Sequence, residues 1–496
     1  PVRGRYVCIE ALDAIDGSDI AAIAEMYLLD NNGERLSREP WTVMYADSED
    51  TEGANRSADK IFDLQESTYW QTAQGVEFPH TVVIDLGSSR DLSGFQYLPR
   101  MDAEVPGAIR NYKIHEAFIK RFNEQGSVYA SAGRINLIGE HTDYNGGFVF
   151  PGAIDKVIMA EIAPNDTDKV RVYSIDIDDY AEFGLNEADA PEASWARYIF
   201  GVCREVHKRG GIVKGFDAVF AGNVPLGAGL SSSAALESCF AFALNDLFND
   251  NNIDKFELAR IGQSTEHNYC GVNCGIMDQF ASVMGQAGKL MRLDCRSMEF
   301  EYFPFQIDGY KLVLLDSKVK HALVDSPYNK RRASCERVAK RLGLETLRDA
   351  TMPMLKSIRT DITAEDYFRA KFVIEEKERV LAVCDALNAG DYETVGRKMY
   401  ETHRGLSDDY EVSCEELDFL NDIARECGVT GSRIMGGGFG GCTINLVRKD
   451  LRDKFIETAK SKFNEKYGHE PKVYPVVISD GARIVERAEK KETDEK

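Results

Sequence analysis

The spacing of apolar and polar residues divides the chain into three stretches of different texture. Residues 1–115 are turn-rich, and short apolar runs at 81–87 and 92–98 predict strands there. Residues 116 to about 310 mix strand and helix patterns. Long helical patterns follow over about 311–490, and a glycine-rich segment interrupts them near the end. The pattern predicts an α+β chain, preceded by a partial β-sandwich-like segment, with boundaries near residues 115 and 310.

Within the last two stretches, strand and helix patterns alternate around several short polar or glycine-rich segments. A strand, a glycine loop and an apolar, alanine-rich helix succeed one another near residue 225. The predicted bounds are strands over 216–221, 433–435 and 443–447, and helices over 231–248, 256–269 and 276–284. The candidate chemistry therefore lies where predicted strands and helices meet.

The loop at residues 225–235 (PLGAGLSSSAA) has the composition of an anion site. Gly227 and Gly229 allow the backbone to approach a ligand closely, and the following serines open a helix whose free N–H groups face the loop. A serine-capped glycine turn is the alternative for so short a pattern. Two spaced glycines before three serines favour phosphate binding. The loop lacks the lysine of a Walker A motif and does not match G-x-S-x-G.

Two further segments carry chemistry that physics alone leaves open. Residues 436–441 (GGGFGG) match the spacing of a dinucleotide fingerprint, but a predicted strand follows where that fingerprint requires a helix. The segment is either a tightly packed turn or a ligand loop. Residues 133–147 (GRINLIGEHTDYNGG) place Arg134, Glu140, His141 and Asp143 between glycines. Such groups suit the hydroxyls of a sugar, although any one of them alone would be an ordinary polar turn residue.

Composition narrows the classes of partner. The net charge is −22, which argues against nucleic acid or an anionic membrane as the main partner. No apolar run approaches the length of a membrane span. The eleven cysteines include no CxxC pair and no His/Cys cluster at zinc spacing, which is typical of reduced thiols in cytosol.

Four segments, taken in order, resemble the motifs of the GHMP kinase superfamily and its galactokinase family. They are residues 133–147, 225–235, 274–280 (CGIMDQF) and 436–442 (GGGFGGC). The resemblance runs from about residue 116 to 485 and implies a two-lobed GHMP kinase fold, with an N-terminal lobe over 116–310 and a C-terminal lobe over 311–490. It implies phosphorylation of galactose at the C1 hydroxyl by ATP with Mg²⁺, in a cytoplasmic monomer.

The resemblance also assigns roles to individual residues. Asp278 and Arg134 would be catalytic, and Ser232 and Glu266 would hold Mg²⁺. Galactose would be bound by Glu140, His141, Asp143, Gly275 and Tyr328. ATP would be bound by Gly227, Ala228, Gly229, Leu230, Ser231, Ser232 and Ser233, with Trp195 and Tyr198 bordering the adenine.

Two other functions within the same superfamily remain as alternatives. One is a non-catalytic sensor of galactose and ATP; relatives of that kind lose the Ser-Ala pair of the ATP loop, whereas Ser233 and Ala234 are present here. The other is an N-acetylgalactosamine kinase, and the run at 142–147 (TDYNGG) favours galactokinase over it.

The N-terminal stretch resembles rearranged pieces of a discoidin-type (F5/8 type C) carbohydrate-binding domain. Residues 41–114 are similar to its opening half, and residues 3–29 to its closing strands, so the end precedes the beginning. A circular permutant, the junction of two modules and a fusion accident would each give this order. A glycan-binding protein led by this stretch is the third alternative function.

Overall fold

The computed structural model describes residues 2–11, 22–23, 25–30, 35–46, 48–50, 56–63, 69–72, 80–92, 94–98, 110–319 and 328–488. Parts of the discoidin-like motifs, including Thr68, Pro79 and Arg100, lie outside the described residues. The chain forms two compact units, Pro1–Lys113 and Ile114–Lys496.

The first unit pairs its earliest strands with its latest. Its strands are β1 (Val2–Ala11), β2 (Ala22–Ile23), β3 (Glu25–Leu29), β4 (Thr42–Ala46), β5 (Trp70–Gln71), β6 (His80–Leu92) and β7 (Gly94–Leu98). β6 lies between β1 and β4 in an antiparallel sheet, while β3 pairs with β7 and β2 with β5. The segments that resemble closing and opening strands are thus hydrogen-bonded to each other.

A small apolar core fills the first unit. Val82, Ile84 and Leu86 alternate along β6 and are buried, as the period of two requires for one face of a strand. Trp70 is also buried in this core, and its indole Nε1 donates a hydrogen bond of 3.1 Å to the Ser48 carbonyl oxygen. Its ring is therefore part of the core.

The second unit mixes three sheets with eleven helices in its described residues. The helices are α1 (Arg110–Phe122), α2 (Ser194–Lys208), α3 (Ser232–Phe248), α4 (Lys255–Thr265), α5 (Met277–Met284), α6 (Tyr328–Leu342), α7 (Met352–Ser357), α8 (Ala364–Asn388), α9 (Tyr392–Arg404), α10 (Glu415–Glu426) and α11 (Arg452–Tyr467). The strands are β8 (Ser127–Asn136), β9 (Phe148–Val149), β10 (Pro151–Pro164), β11 (Lys169–Ser174), β12 (Asp179–Gly184), β13 (Phe216–Gly222), β14 (Lys289–Asp294), β15 (Phe300–Pro304), β16 (Tyr310–Asp316), β17 (Gly431–Ile434), β18 (Cys442–Arg448), β19 (Lys472–Pro475) and β20 (Arg483–Glu486). Predicted strand and helix positions agree with these bounds to within a few residues.

A six-stranded sheet with the order β12-β11-β13-β10-β8-β20 organises the first half of this unit. Its central strand β10 is apolar on both faces. Ile158 and Ile162 belong to the large core with α3 and α5, while Val157 and Met159 face the smaller core beneath α1. Because apolar cores lie on both faces, residues 157–160 in the middle of the strand form an uninterrupted apolar run. The last strand, β20, pairs with β8, so the end of the chain returns to this sheet.

The second half is built on a four-stranded sheet, β17-β18-β16-β19, and a group of long helices. α10 and α11 pack on this sheet through a core that includes Leu315, Leu420 and Phe463. α6, α8 and α9 pack on one another beside it. The loop between β17 and β18 carries the glycine segment at 436–441, between two strands as predicted.

We predict that α1 stabilises the second unit through two buried residues at its start and middle. Ile114 and Phe118 are fully buried against the six-stranded sheet, whereas Ile119 on the same helix is 40% exposed. Ile114→Ala should lower the free energy of unfolding by about 2–4 kcal/mol, because it removes buried methyl groups and leaves a cavity. Ile119→Ala, the matched control, should change it by less than about 0.5 kcal/mol. Urea unfolding followed by circular dichroism measures both, and equal midpoints would refute this role for α1.

Candidate active site

The phosphate loop joins β13 to α3 in a conformation that few residues other than glycine adopt. Gly227 and Gly229 have φ of 74° and 77°, and Ser231, the residue before the helix, has φ of 61°. The positive φ values turn the backbone so that α3 begins directly after the loop. The free N–H groups and the positive end of α3 therefore face the loop, as an anion site requires.

The glycine segment 436–441 packs directly against the phosphate loop. A Cβ atom built on Gly436 would lie 3.2 Å from the Gly229 carbonyl oxygen, and one on Gly441 would lie 3.1 Å from the Ala228 carbonyl carbon. Both residues also have positive φ. Of the two possibilities left open by the sequence, the structure supports a tightly packed turn whose contact is the ligand loop itself. The strand β18 follows it, as the sequence predicts, so the structure agrees with the rejection of a dinucleotide fingerprint.

Arg134 and Asp278 form the centre of the site. The Arg134 guanidinium donates two hydrogen bonds to the Asp278 carboxylate, from Nε to Oδ1 at 2.8 Å and from Nη2 to Oδ2 at 3.0 Å. Its Nη1 donates to the Gly229 carbonyl oxygen at 2.5 Å, and the Ser231 hydroxyl donates to Asp278 Oδ2 at 2.5 Å. The buried arginine therefore fixes a partly exposed carboxylate beside the phosphate loop.

Glu140 ties the turn at 133–147 to the third glycine motif. Its Oε1 accepts hydrogen bonds from Arg433 Nη1 at 3.1 Å and from the Gly436 N–H at 2.9 Å. Arg433 is fully buried, and its Nε donates to the Leu137 carbonyl oxygen at 2.9 Å. A buried carboxylate paired in this way is firmly oriented, since breaking one partner would leave the other charge uncompensated.

His141 lies in a group of aromatic side chains. Its Nδ1 shares a hydrogen bond of 2.8 Å with the Tyr144 hydroxyl, which in turn shares one of 2.8 Å with the Tyr410 hydroxyl. The Tyr328 ring at the start of α6 lies 5.3 Å from the imidazole, centroid to centroid. Burial, together with the nearby Arg331 charge, lowers the pKa of His141 to about 3, so the imidazole is neutral near pH 7.

Asp143 and Gly275 border a cavity of about 180 Å³. A Cβ atom on Gly275 would lie only 1.7 Å from Asp143 Oδ2, so only glycine allows this approach. Burial, with smaller contributions from Asp278 and Glu140, raises the pKa of Asp143 to about 6. The cavity is also lined by Gln263, His267, Cys274 and Arg332. It combines a carboxylate with other polar groups at a scale suited to a small polar ligand.

Glu266 begins a π-helical turn (Glu266–Cys270) that follows α4, and it lies close enough to Asp278 for the two charges to interact. Burial raises the pKa of Glu266 to about 7, while a hydrogen bond from the Ser233 side chain opposes that shift. The neighbouring Glu237 of α3 is fully buried, and its pKa is raised well above the usual range by burial and by Glu266. Within the described part of the chain, no three His, Cys, Asp or Glu side chains are arranged to hold a metal ion.

The two aromatic residues predicted near adenine lie on the first two turns of α2. The Trp195 indole packs 5.5 Å from the Phe220 ring of β13, and its Nε1 donates to Asp179 Oδ2 at 2.8 Å. Tyr198 is partly buried and is close enough to Glu266 and Cys270 for both to contribute to its raised pKa. α2 therefore brings these rings to the same end of the six-stranded sheet as the phosphate loop.

Sequence reasoning missed three residues that surround the predicted site residues. Arg433 hydrogen-bonds to Glu140, and the Tyr410 ring lies 4.9 Å from the His141 ring, centroid to centroid. The charge of Glu237 interacts with that of Glu266. Each of the three lies in an apolar or helical context with no motif of its own. Glu237 lies four residues after Ser233 on α3 and thus on the same face, which is the one signal that could have placed it near the loop.

Taken together, the phosphate loop, the Arg134–Asp278 pair and the glycine segment at 436–441 define a small-molecule kinase of the GHMP fold. The profile described as the N-terminal domain of GHMP kinases matches residues 197–286, and the C-terminal profile matches 384–465. A galactokinase galactose-binding signature matches 116–164, and an F5/8 type C domain matches 44–115.

The chain is similar to galactokinases along most of their length. It is 42% identical over 371 residues to the galactokinase of Clostridium acetobutylicum, covering 72% of this chain and 95% of that one. The galactokinase of Thermotoga maritima is 39% identical over 354 residues, covering 71% and 98%. The solved structure of Lactococcus lactis galactokinase complexed with galactose has a TM-score of 0.72 at 33% identity, over 75% of this chain and 98% of that one.

The chain belongs to the galactokinase family. The fold class, the recognition of that family and the resemblance of the N-terminal stretch to an F5/8 type C domain are therefore confirmed. The mevalonate kinase of Methanococcus jannaschii, at 17% identity and a TM-score of 0.53, shares the fold alone.

We predict that the ionised Asp143 side chain destabilises the ligand-free protein. Because its folded pKa of about 6 exceeds the ordinary value of 3.8, ionising the side chain destabilises the ligand-free fold above pH 6 by about 2–3 kcal/mol. The destabilisation is smaller at pH 5, where the folded carboxyl is mostly protonated. Asp143→Asn should therefore raise the unfolding temperature of the ligand-free protein at pH 8 more than at pH 5. Scanning calorimetry of both proteins at both pH values tests this, and an equal or lower unfolding temperature of the variant at pH 8 would contradict it.

Proposed function

We propose that the second unit transfers the γ-phosphoryl group of ATP to the C1 hydroxyl of α-D-galactose, giving galactose 1-phosphate and ADP. The observation that carries this is the Arg134–Asp278 pair, which is bonded on one side to Gly229 and Ser231 of the phosphate loop. The Asp143 carboxylate, whose charge contributes to the same cluster as that of Asp278, borders the small cavity. The pair is therefore bonded to the proposed phosphate site, and its carboxylate interacts electrostatically with Asp143 at the proposed sugar site.

The two substrates would use different parts of the site. The loop Gly227, Ala228, Gly229, Leu230, Ser231, Ser232 and Ser233 would bind the ATP phosphates, and Trp195 and Tyr198 would border the base. Galactose would occupy the cavity at Asp143 and Gly275, with Glu140, His141 and Tyr328 beside it. Carboxylates and a neutral imidazole accept hydrogen bonds from sugar hydroxyls, and the glycine leaves room for the ring. The intact Ser233-Ala234 pair supports an enzyme over a sensor.

In the transfer step, Asp278 would accept a hydrogen bond from the C1 hydroxyl and orient its oxygen toward the γ-phosphoryl group. The proton of that hydroxyl would pass to the Asp278 carboxylate as the bond from the oxygen to the γ-phosphorus forms and the bond from the γ-phosphorus to the ADP oxygen breaks. Arg134, fixed by Asp278 and Gly229, would offset the negative charge of the transferring group. Phosphoryl transfer depends mainly on such positioning and electrostatic stabilisation.

We also propose that the reaction uses Mg²⁺, held by Glu266 and a serine hydroxyl of the phosphate loop. The sequence resemblance assigns Ser232, while the side chain that hydrogen-bonds to Glu266 is Ser233. A buried carboxylate whose pKa is raised by its surroundings fits a cation site, because a bound cation would stabilise its ionised form. The ion would neutralise phosphate charge.

We assign the kinase lobes to residues 116–310 and 311–490, and we propose a monomer that acts in the cytoplasm. The similarity to galactokinases over about three-quarters of the chain supports this assignment. No described helix combines the length and apolar character needed to cross a bilayer. The discoidin-like unit lies outside the region matched by those relatives, and we propose that the kinase reaction does not require it.

Asp278→Asn is expected to lower kcat by roughly 10²–10⁴-fold, the usual contribution of a general acid–base group, while galactose and ATP still bind. Asp250→Asn is the matched control, because Asp250 is an exposed residue with φ of 50° that asparagine also adopts. A coupled ADP-release assay gives kcat, and calorimetric titration gives the dissociation constants. A kcat near that of the unaltered protein would remove Asp278 from the mechanism.

Glu266→Gln is expected to raise the Mg²⁺ concentration needed for half-maximal rate, since an amide is a weaker ligand than a carboxylate for a hard cation. The galactose dissociation constant, measured without nucleotide, should stay unchanged. Glu257→Gln on the preceding helix is the control. An unaltered Mg²⁺ dependence in Glu266→Gln would assign this residue a structural role.

A further inference from the structure

A second, larger cavity lies in the C-terminal half, away from the kinase motifs. It has a volume of about 1020 Å³ and is bordered mainly by α8 and α9 with one residue of α10. Its apolar lining comes from Met352, Ile374 and Ala382, and the rest is almost entirely charged. A concave site with a small apolar floor and many charges is suited to a polar, charged ligand.

Three arginines line this cavity on the side of α9 and α10, and one of them stacks on an aromatic ring. Arg397, Tyr400 and Arg404 are spaced by three and four residues, so they share one face of the helix. Arg425 of α10 stacks on the Tyr400 ring, 4.0 Å from its centroid. Among the described residues, none of the three arginines forms an ion pair with a carboxylate. Their charges are therefore available to a ligand.

The acidic residues lining the cavity are largely neutralised. Lys371 pairs with Asp409 at 2.5 Å and with Glu375 at 3.2 Å. Lys398 pairs with Glu401 at 2.7 Å. The remaining one, Glu378, is 71% exposed with Lys377 beside it at 3.6 Å. With these pairs set aside, the three arginines leave the lining positive in a chain whose net charge is −22.

One chain of hydrogen bonds connects the cavity to the turn at residues 133–147, which is proposed to bind galactose and is called the sugar loop below. Arg379, which lines the cavity, donates from Nε to Glu376 Oε2 at 2.6 Å. The other oxygen of the fully buried Glu376 accepts from the Gly139 N–H at 2.9 Å. Gly139 directly precedes Glu140, so the orientation of the sugar loop depends on this carboxylate.

A second connection runs through the end of α9. Arg404 is followed by a π-helical turn (Gly405–Asp409), two residues of which, Gly405 and Asp409, line the cavity. Tyr410 comes next, and its hydroxyl is bonded to that of Tyr144, which bonds to His141. A ligand that shifts the turn would therefore shift the aromatic group beside the sugar site.

We propose that the cavity between α8 and α9 is a regulatory site for a small phosphorylated metabolite, held by Arg397, Arg404 and Arg425. A guanidinium group can donate two parallel hydrogen bonds to the oxygens of one phosphate group. Three guanidinium groups at the edge of one cavity therefore match a ligand with two phosphate groups. Occupancy changes the galactose KM through Glu376 and through Tyr410. The KM effect rests on the proposed galactokinase reaction, whereas binding does not.

The test uses inorganic pyrophosphate as the probe, titrated calorimetrically into full-length protein saturated with ADP and galactose so that the kinase site is filled. Arg397→Gln/Arg404→Gln should weaken binding by roughly tenfold or more, given the usual strength of hydrogen bonds between charged groups. Arg359→Gln/Arg452→Gln, which removes the same charge from surfaces away from the cavity, should bind as the unaltered protein does. Circular dichroism verifies that both variants fold.

The outcomes separate binding from regulation and from the kinase reaction. Absent binding, or equal binding to the cavity variant, would overturn the proposal, the latter because the probe then occupies the phosphate loop or another site. A galactose KM that pyrophosphate shifts in the unaltered protein, but not in the cavity variant, would support the regulatory role. Binding with an unchanged KM would refute that role. An absence of galactose turnover would refute the proposed function while leaving the binding result valid.

Discussion

The close approach of the phosphate loop to the glycine hairpin at 436–441 is the constraint on which the site depends. A Cβ atom at Gly436 or Gly441 would lie only 3.1–3.2 Å from the backbone of residues 228–229, and both glycines have positive φ, so a side chain at either position would strain this contact. The hairpin in turn fixes Glu140 through the Gly436 N–H and Arg433, and the phosphate loop fixes Arg134 through the Gly229 carbonyl. Three segments far apart in sequence are thereby held at fixed distances before any substrate binds. Such preorganisation is what a phosphoryl-transfer enzyme needs, because its chemistry consists mainly of positioning.

Several carboxylates of the candidate site are buried close together, which destabilises their ionised forms in the ligand-free protein. Burial raises the pKa values of Asp143, Glu266 and Glu237, and the charges of neighbouring carboxylates add to the effect. Each of these groups would be more stable with a hydroxyl donor or a cation beside it. Among the described residues, Arg134 is the one guanidinium that hydrogen-bonds to Asp278. The proposed ligands, a polyhydroxy sugar and a metal–nucleotide complex, would supply the donors and the positive charge that this cluster lacks.

Sequence reasoning identified the segments that come together in the candidate site more readily than the residues that hold those segments in place. Glycines and serines at 225–235 and polar residues at 133–147 have few structural explanations in such density, so their pattern indicated a site. The packing partner of the hairpin could not be predicted, because contact between residues 229 and 436 depends on the tertiary fold. Arg433 and Glu237 were missed for a related reason: a single charged residue in a strand or helix resembles a surface residue until its burial is known.

In the N-terminal unit, too, local sequence patterns do not reveal tertiary contacts. Short motifs showed the resemblance to a rearranged discoidin-type domain, but they did not show whether its early and late strands pair with each other. The pairing of β1 with β6 and of β3 with β7 brings the early and late segments together around Trp70, Val82 and Ile84. Strand pairing over some 70 residues of chain is non-local, and no local pattern encodes it.

Two π-helical turns, one after α4 and one after α9, lead into the candidate site. In each, Glu266–Cys270 after α4 and Gly405–Asp409 after α9, the helix widens for one turn before it ends. The wider turn rotates the residues at its end relative to the regular helix, which is why such turns concentrate at functional sites. The first turn begins with Glu266 beside Ser233, and the second leads to Tyr410 beneath Tyr144. The second turn therefore sets the direction of Tyr410, which follows it, whereas Glu266 lies where the regular helix α4 gives way to the wider turn.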